Sequence, residues 1–282
     1  MKILITGGRG QLGRELSLLL QESQGYEIFA PGRAELDIGD AAGVSAQVKA
    51  WHPEVVIHTA AYTKVDQAEV EPDEAWKVNA LGSRNVAVAA EAVGAKLIYL
   101  STDYVFDGKK GTPYEEWDVP SSESVYGRSK LAGEELVRMV SRRFFIVRTS
   151  WVFGPYGGNF VKTMLGLARA GKALRVVADQ VGSPTYTYDL ARFLEMLMRT
   201  EAYGIYHATN SGTCSWFEFA QAIFAEAGIA ADVEPCTTEE FPRPAKRPPN
   251  SVLEHKAIRL NGWEDLRPWR EGLREYLKRM KP

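Results

Sequence analysis

Tyr126 and Lys130 carry the side chains most suited to proton chemistry, and they stand four residues apart in Ser124-Val125-Tyr126-Gly127-Arg128-Ser129-Lys130. The stretch reads as the opening of a helix, where that spacing stacks two side chains on one face, one turn apart. An ammonium beside a phenol favours the phenolate and lowers the tyrosine from its reference value near ~10. A phenol tuned that way can exchange a proton with a substrate oxygen. Tyr-x-x-x-Lys also occurs on ordinary helices with the Lys solvated, so its weight depends on what surrounds it. Thr102 is a second candidate. It ends the strand-like run Lys96-Leu97-Ile98-Tyr99-Leu100 and Ser101, and its hydroxyl can donate to a carbonyl oxygen as negative charge builds there.

The elements that must hold these groups begin with the first residues. Lys2-Ile3-Leu4-Ile5-Thr6 reads as a buried strand, and Gly7-Gly8-Arg9-Gly10-Gln11-Leu12-Gly13 follows it directly. Leu12, Leu16, Leu19 and Leu20 then recur at helical spacing. Strand, glycine turn and helix in this order are the setting of a dinucleotide fingerprint, in which bare backbone N–H groups and a helix N-terminus meet a pyrophosphate. The glycines fit two registers, one starting at Gly7 and one at Gly8. The second strand, Tyr26 to Ala30, runs into Pro31-Gly32-Arg33 and lacks the terminal carboxylate that binds an adenosine ribose 2′-OH. Arg9 and Arg33 could instead pair with a 2′-phosphate, which predicts NADPH, with NADH as the lesser option. Asp37 and Ile38 stand where adenine would be flanked. A third strand, Glu54 to His58, leads into small residues up to Ala61, Tyr62 and Thr63, where a cofactor could approach the backbone. Asp73 to Val93 reads as one long amphipathic helix containing Asn79.

Composition excludes several classes. Lys+Arg 34 against Asp+Glu 36 gives a net charge of -2, with no basic stripe for nucleic acid. The four His lack metal-ligand spacing, so no metal site is expected. No apolar run approaches the ~18 residues of a membrane span. Cys214 and Cys236 are expected as free thiols in a cytoplasmic protein.

The glycine turn, Ser-Thr-Asp-Tyr-Val-Phe-Asp-Gly at 101–108 and Tyr-Gly-x-x-Lys at 126–130 together resemble the extended short-chain dehydrogenase/reductase superfamily. Arg148 to Gly154, Asn159 to Leu165, Asp179-Gln180-x-Gly182-x-Pro184-Thr185 and Arg247-Pro248-x-Asn250-Ser251 narrow the resemblance to the dTDP-4-dehydrorhamnose reductase family. It extends from Ile3 to about Trp269. It implies reduction of the C4 ketone of dTDP-4-dehydro-L-rhamnose. Gly10, Gln11 and Leu12 would lie on the cofactor pyrophosphate, Asp37 and Ile38 at the adenine, and Ala61, Tyr62 and Thr63 at the nicotinamide half. Thr102 and Asp103 would meet the sugar, with Trp151 packed on its ring. Tyr126 would give the proton and Lys130 would hold the nicotinamide ribose. Asn159, Phe160 and Lys162 are candidates for the nucleotide diphosphate and base, and Arg247, on a proline-rich loop (242–249) closing over the cleft, for the diphosphate.

The expected fold is α/β: a Rossmann-type doubly wound parallel sheet with a smaller, interleaved C-terminal substrate domain. Residues 1–150 and about 172–210 are assigned to the dinucleotide lobe, and about 151–171 and 211–282 to the sugar-nucleotide lobe. Trp263, Leu266, Trp269, Leu273 and Leu277 are expected on one closing helix stripe. Two other functions fit the same motifs. One is a sugar-nucleotide epimerase or dehydratase, disfavoured because Tyr104 stands where dehydrating relatives carry Glu. The other is a non-catalytic dinucleotide-binding regulatory subunit. The expected partner is a small sugar nucleotide, and a homodimer is left open.

Overall fold

The structure, a computed structural model, describes residues 1–280. Lys281 and Pro282, the end of the expected second lobe, lie outside the described residues. β1 (Lys2–Thr6) is buried from Ile3 onward and feeds the glycine turn and α1 (Gln11–Glu22). β2 (Glu27–Phe29), α2 (Ala41–Trp51) and β3 (Val55–His58) follow. Next come α3 (Val65–Val70), α4 (Pro72–Trp76), a π turn at Lys77–Gly82, and α5 (Ser83–Ala92). β4 (Lys96–Thr102) runs into a 3-10 turn at Asp103–Val105, and α6 (Val125–Val140) precedes β5 (Phe144–Thr149). The chain continues through β6 (Val152–Phe153), α7 (Phe160–Arg169), β7 (Leu174–Val177), β8 (Val181–Gly182), β9 (Thr185–Tyr186), α8 (Thr187–Met198) and β10 (Gly204–His207). β11 (Cys214–Ser215), α9 (Trp216–Ala227), β12 (Val233–Cys236), α10 (Lys256–Leu260) and α11 (Trp269–Met280) complete it.

Six strands form one parallel sheet in the order β2-β1-β3-β4-β5-β10. α1 and α8 cover one face through Leu16, Leu20, Leu190 and Leu194. α2, α5 and α6 cover the other through Val44, Val48, Val86 and Val137. The strand order reverses between β1 and β3, which opens a crevice at their carboxyl ends, where open α/β sheets take their ligands. This is the doubly wound sheet the sequence predicts.

A second core gathers Phe153, Leu165, Phe219, Leu273 and Tyr276, built by α7, α9, α11 and three two-stranded pairings. Packing departs from the expected lobe boundaries in two places. Leu174 and Val176 belong to this second core because β7 pairs with β12, whereas 172–182 was assigned to the dinucleotide lobe. Leu266 and Trp263 pack under the large sheet. The closing apolar stripe is therefore split. Pro268, which cannot donate within a helix, stands just before α11, so Trp263 and Leu266 fall outside it. The expected long helix from Asp73 is likewise widened at Lys77–Gly82, a π turn centred on the buried Asn79.

Candidate active site

A cavity of about 690 Å³ opens at the carboxyl ends of β1, β3 and β4. Gly7, Gly10, Gln11, Leu12 and Gly13 line one end, with Arg9, Arg33, Asp37 and Ile38 beside them. Ala61, Tyr62 and Thr63 line its middle, and Thr102, Asp103, Tyr126, Lys130 and Trp151 its far end. Seventeen predicted residues thus converge on one space.

The glycine end has the form of a phosphate cradle. Gly7 has φ 70°, a left-handed conformation that favours glycine. A Cβ on Gly13 would lie 2.3 Å from the Gly7 carbonyl oxygen, so the turn closes only without side chains. Gly10 is the N-cap of α1 and supplies no side-chain acceptor. The first N–H groups of the helix therefore remain for an anion. The Gln11 side chain is used elsewhere: its Nε2 donates to Val152 O (3.1 Å) and its Oε1 accepts from Asn159. Arg9 and Arg33 are exposed and rest on Glu35 and Glu74 at 3.4 and 3.0 Å. Both can leave these weak surface pairs for a phosphate.

At the far end, Ser124 caps α6 through Gly127 N (3.1 Å), which fixes where the helix starts. Gly127 is required there, since a Cβ would fall 2.1 Å from the Tyr104 carbonyl oxygen. Lys130 is buried and its Nζ donates to Leu100 O at 2.6 Å. Burial pushes Lys130 down to about 7, against the opposing charge of Glu134. Burial also pushes the Tyr126 phenol up to about 12, partly offset by the Thr102 hydroxyl. In the ligand-free site the direction is thus opposite to the expected acidified phenol, with burial the largest cause and the Asp103 carboxylate adding to it. Thr102 donates to Asp103 Oδ1 (2.9 Å), so its proton is held by a neighbour until another acceptor competes for it. Asp103 Oδ2 is buried and unpaired, and burial raises this carboxyl to about 6. Trp151 adopts φ 48° and stacks on Trp216 with centroids 3.5 Å apart. Gly182 leaves room for the indole, as a Cβ there would lie 2.6 Å from it.

Residues 1–281 match the RmlD substrate binding domain family. The chain belongs to that family. It is 46% identical over 279 residues to the Bacillus subtilis spore coat polysaccharide biosynthesis protein SpsK, covering 98% of this chain and 97% of that one. It is 45% identical to the dTDP-4-dehydrorhamnose reductase of Aggregatibacter actinomycetemcomitans, covering 90% of each chain. The crystal structure of the Bacillus anthracis dTDP-4-dehydrorhamnose reductase in complex with NADP superposes with a TM-score of 0.95 at 47% identity, covering 99% of both chains.

Two residues expected at the substrate are bonded to protein groups and stand outside the cavity lining of this RmlD-family chain. Asn159 caps α7 through Lys162 N (3.1 Å) and donates to Gln11 Oε1 (2.9 Å) and Gly154 O (2.8 Å). Its polar atoms are consumed in joining α7 to the glycine turn, and it does not line the cavity. Arg247 is held bidentately by Asp66 at 2.6 and 3.0 Å, at the edge of α3. Its guanidinium is paired with an acid and is also outside the cavity lining. A cap and a bidentate ion pair leave no trace in residue type alone.

Asn79, equally readable from sequence as an exposed helix residue or as a structural group beside the site, takes the structural role. Its Oδ1 accepts from Tyr62 N (2.8 Å), and its Nδ2 donates to Tyr62 O (3.1 Å) and Ser129 Oγ (3.0 Å). One buried amide thus ties the cavity loop after β3 to the helix of Tyr126. Ser83 Oγ gives its proton to Asn79 O (2.7 Å), so it accepts from His58 Nε2 (3.0 Å). His58 Nδ1 then accepts from Thr6 Oγ1 (2.6 Å), and burial pushes the ring down to about 3, keeping it neutral. Asn79→Ala strands these buried groups and is expected to cost about 2–4 kcal/mol. Urea unfolding measures it; a cost under about 0.5 kcal/mol, the usual range for a surface change, would contradict the clamp. Among the described residues no group of His, Cys, Asp and Glu could hold a metal ion, and no helix is long and apolar enough to cross a membrane.

Proposed function

We propose that this chain reduces the C4 ketone of dTDP-4-dehydro-L-rhamnose with NADPH, giving dTDP-L-rhamnose, a precursor of cell-surface polysaccharide. The observation that carries this reading is one cavity lined by both a phosphate cradle and the Tyr126, Lys130 and Thr102 side chains. When bound, the nicotinamide supplies the hydride to C4. The bare turn from Gly7 to Gly13 and the N-terminus of α1 hold the pyrophosphate. Asp37 and Ile38 border the adenine, and Ala61, Tyr62 and Thr63 the nicotinamide half. Lys130 holds the nicotinamide ribose. Asp103 Oδ2, buried without a partner, accepts from a sugar hydroxyl. Trp151 packs on the sugar ring.

Tyr126 Oη gives its proton to the C4 oxygen. A phenol that burial keeps protonated is in the state a donor needs. Thr102 turns its hydroxyl from Asp103 to the same oxygen as negative charge develops there. Tyr104 stands where a dehydratase would need a second carboxylate; its buried phenol stays neutral, which disfavours elimination. The free, buried thiols Cys214 and Cys236 suit a cytoplasmic setting. The lobes are best divided by packing, with β7 and β8 in the sugar-nucleotide lobe and α8 and β10 in the dinucleotide lobe.

Incubating the purified chain with dTDP-4-dehydrorhamnose and NADPH tests the reading. Loss of NADPH absorbance dependent on the sugar nucleotide is expected. Cofactor binding without turnover would favour a non-catalytic regulatory subunit. Arg33→Ala tests the cofactor preference: KM for NADPH rises roughly tenfold, the worth of one charge-assisted contact of about 1.5 kcal/mol. KM for NADH stays, and equal effects on both would reject Arg33 as the 2′-phosphate ligand.

A further inference from the structure

Glu134 and Arg148 form a buried ion pair, each side chain 2% exposed, and Ser101 of the cavity lining reaches it. Arg148 Nε donates to Glu134 Oε1 (3.0 Å) and Nη2 to Oε2 (2.7 Å). Ser101 Oγ donates to the same Oε1 at 2.5 Å. Arg148 Nη1 reaches Glu116 O (3.3 Å) and faces His207 Nε2 (3.3 Å), whose ring burial and the guanidinium keep neutral. One carboxylate thus joins three elements: α6, which carries it, β4 through Ser101, and β5 through Arg148.

These are the elements that place Lys130. Glu134 lies one helical turn after Lys130 on the same face of α6, with Cβ atoms about 5–6 Å apart. Ser101 directly follows Leu100, whose carbonyl is the acceptor for Lys130 Nζ. A buried ion pair seldom stabilises a fold more than well-packed apolar groups of the same size would. Packing alone therefore gives little reason for one at this point.

We propose that the Glu134–Arg148 pair is a positioning element for Lys130: through Ser101 it fixes the strand end that holds the ammonium, and the nearer Glu134 carboxylate keeps Lys130 charged. The other groups around Lys130 do not replace it. Tyr126 is a neutral phenol on the same helix, and the Tyr99 ring of β4 lies 4.0 Å below Nζ. His58 of β3 is neutral. Asp103 already accepts from Thr102. Glu69 of α3 is bound to Val125 N, Glu74 of α4 to Arg33, and Arg84 of α5 is exposed. Burial works against the charge on Lys130 and Glu134 works for it.

The inference rests on Lys130 being the group the proposed chemistry uses, so its test is chosen to need no turnover. The Lys130 side-chain resonance is followed by nuclear magnetic resonance against pH in the ligand-free full chain, and is assigned by its loss in Lys130→Met. Glu134→Gln moves the Lys130 midpoint down by about one pH unit and Arg148→Met moves it up. Arg148→Lys, which keeps the charge, leaves it within about half a unit even where stability falls. Glu134→Gln/Arg148→Met strands no charge and falls between Glu134→Gln and the parent. A purely structural pair would lower stability in both singles with no opposed shifts, and that result overturns the proposal. If neither neutralised single folds, the double variant decides: a midpoint moved down supports it, and an unmoved one overturns it. Loss of turnover with an unaltered set of midpoints would count against the pair, whereas opposed midpoints in an inactive protein would count against the assigned reaction.

Discussion

Tyr126→Phe is expected to bind NADPH as the parent does and to lose turnover by about 10²- to 10⁴-fold, the range general acid catalysis contributes. The ring and its T-shaped contact with Tyr104, centroids 5.5 Å apart, survive the change. What disappears is the Oη that the proposed step uses to protonate the C4 alkoxide. An interaction made only in the chemical step lowers kcat and kcat/KM together and leaves binding untouched. Cofactor fluorescence titration and steady-state rates measure the two sides separately. A rate within a factor of two or so of the parent would remove Tyr126 from the proton-transfer role, since loss of a general acid costs far more than that.

Lys130→Met is expected to abolish most turnover and yet to stabilise the ligand-free protein in a pH-dependent way. In the folded chain Lys130 is pushed down to about 7 from its ordinary 10.5. A cation depressed in this way carries its burial penalty in full below the folded value. As pH rises from 7 towards 10.5, only the unfolded chain still binds the proton, so the parent gains stability over that window. Met removes the penalty and nearly preserves the volume. The variant is therefore more stable than the parent below pH 7, by about 1.4 kcal/mol per pH unit of depression less about 1–3 kcal/mol for the donor lost to Leu100 O. The advantage shrinks steadily above pH 7. Chemical denaturation at several pH values reads it directly. An advantage independent of pH, or one that grows with pH, would show that Lys130 is not held as a strained cation.

These two expectations mark where the sequence was legible and where it was not. β1, the glycine turn and α1 could be read because sterics leave so few residues for each place: Gly13 has no alternative when a Cβ would meet the Gly7 carbonyl at 2.3 Å. Tyr126 and Lys130 could be placed on one face because helical spacing is fixed. Their charge state could not, because it depends on burial, which is set by elements that come together only in three dimensions. The partners of Asn159 and Arg247 were hidden for a related reason. Polar residues in a C-terminal lobe look equally suited to a diphosphate or to a cap, and only the fold shows that Gln11 and Asp66 had already taken them. Asn79 was legible as a polar residue in a helix, but its three bonds to Tyr62 and Ser129 are long-range and carry no local signature.

The convergence of cofactor, sugar and phenol is tested most directly by a crystal structure of this chain with NADPH and dTDP-L-rhamnose bound. Tyr126 Oη and Thr102 Oγ1 are expected within hydrogen-bond distance of the sugar O4, about 2.6–3.2 Å, with the nicotinamide against the opposite side of C4 and the pyrophosphate on the turn from Gly7 to Gly13. A sugar bound away from Tyr126, or a pyrophosphate away from the glycine turn, would contradict it.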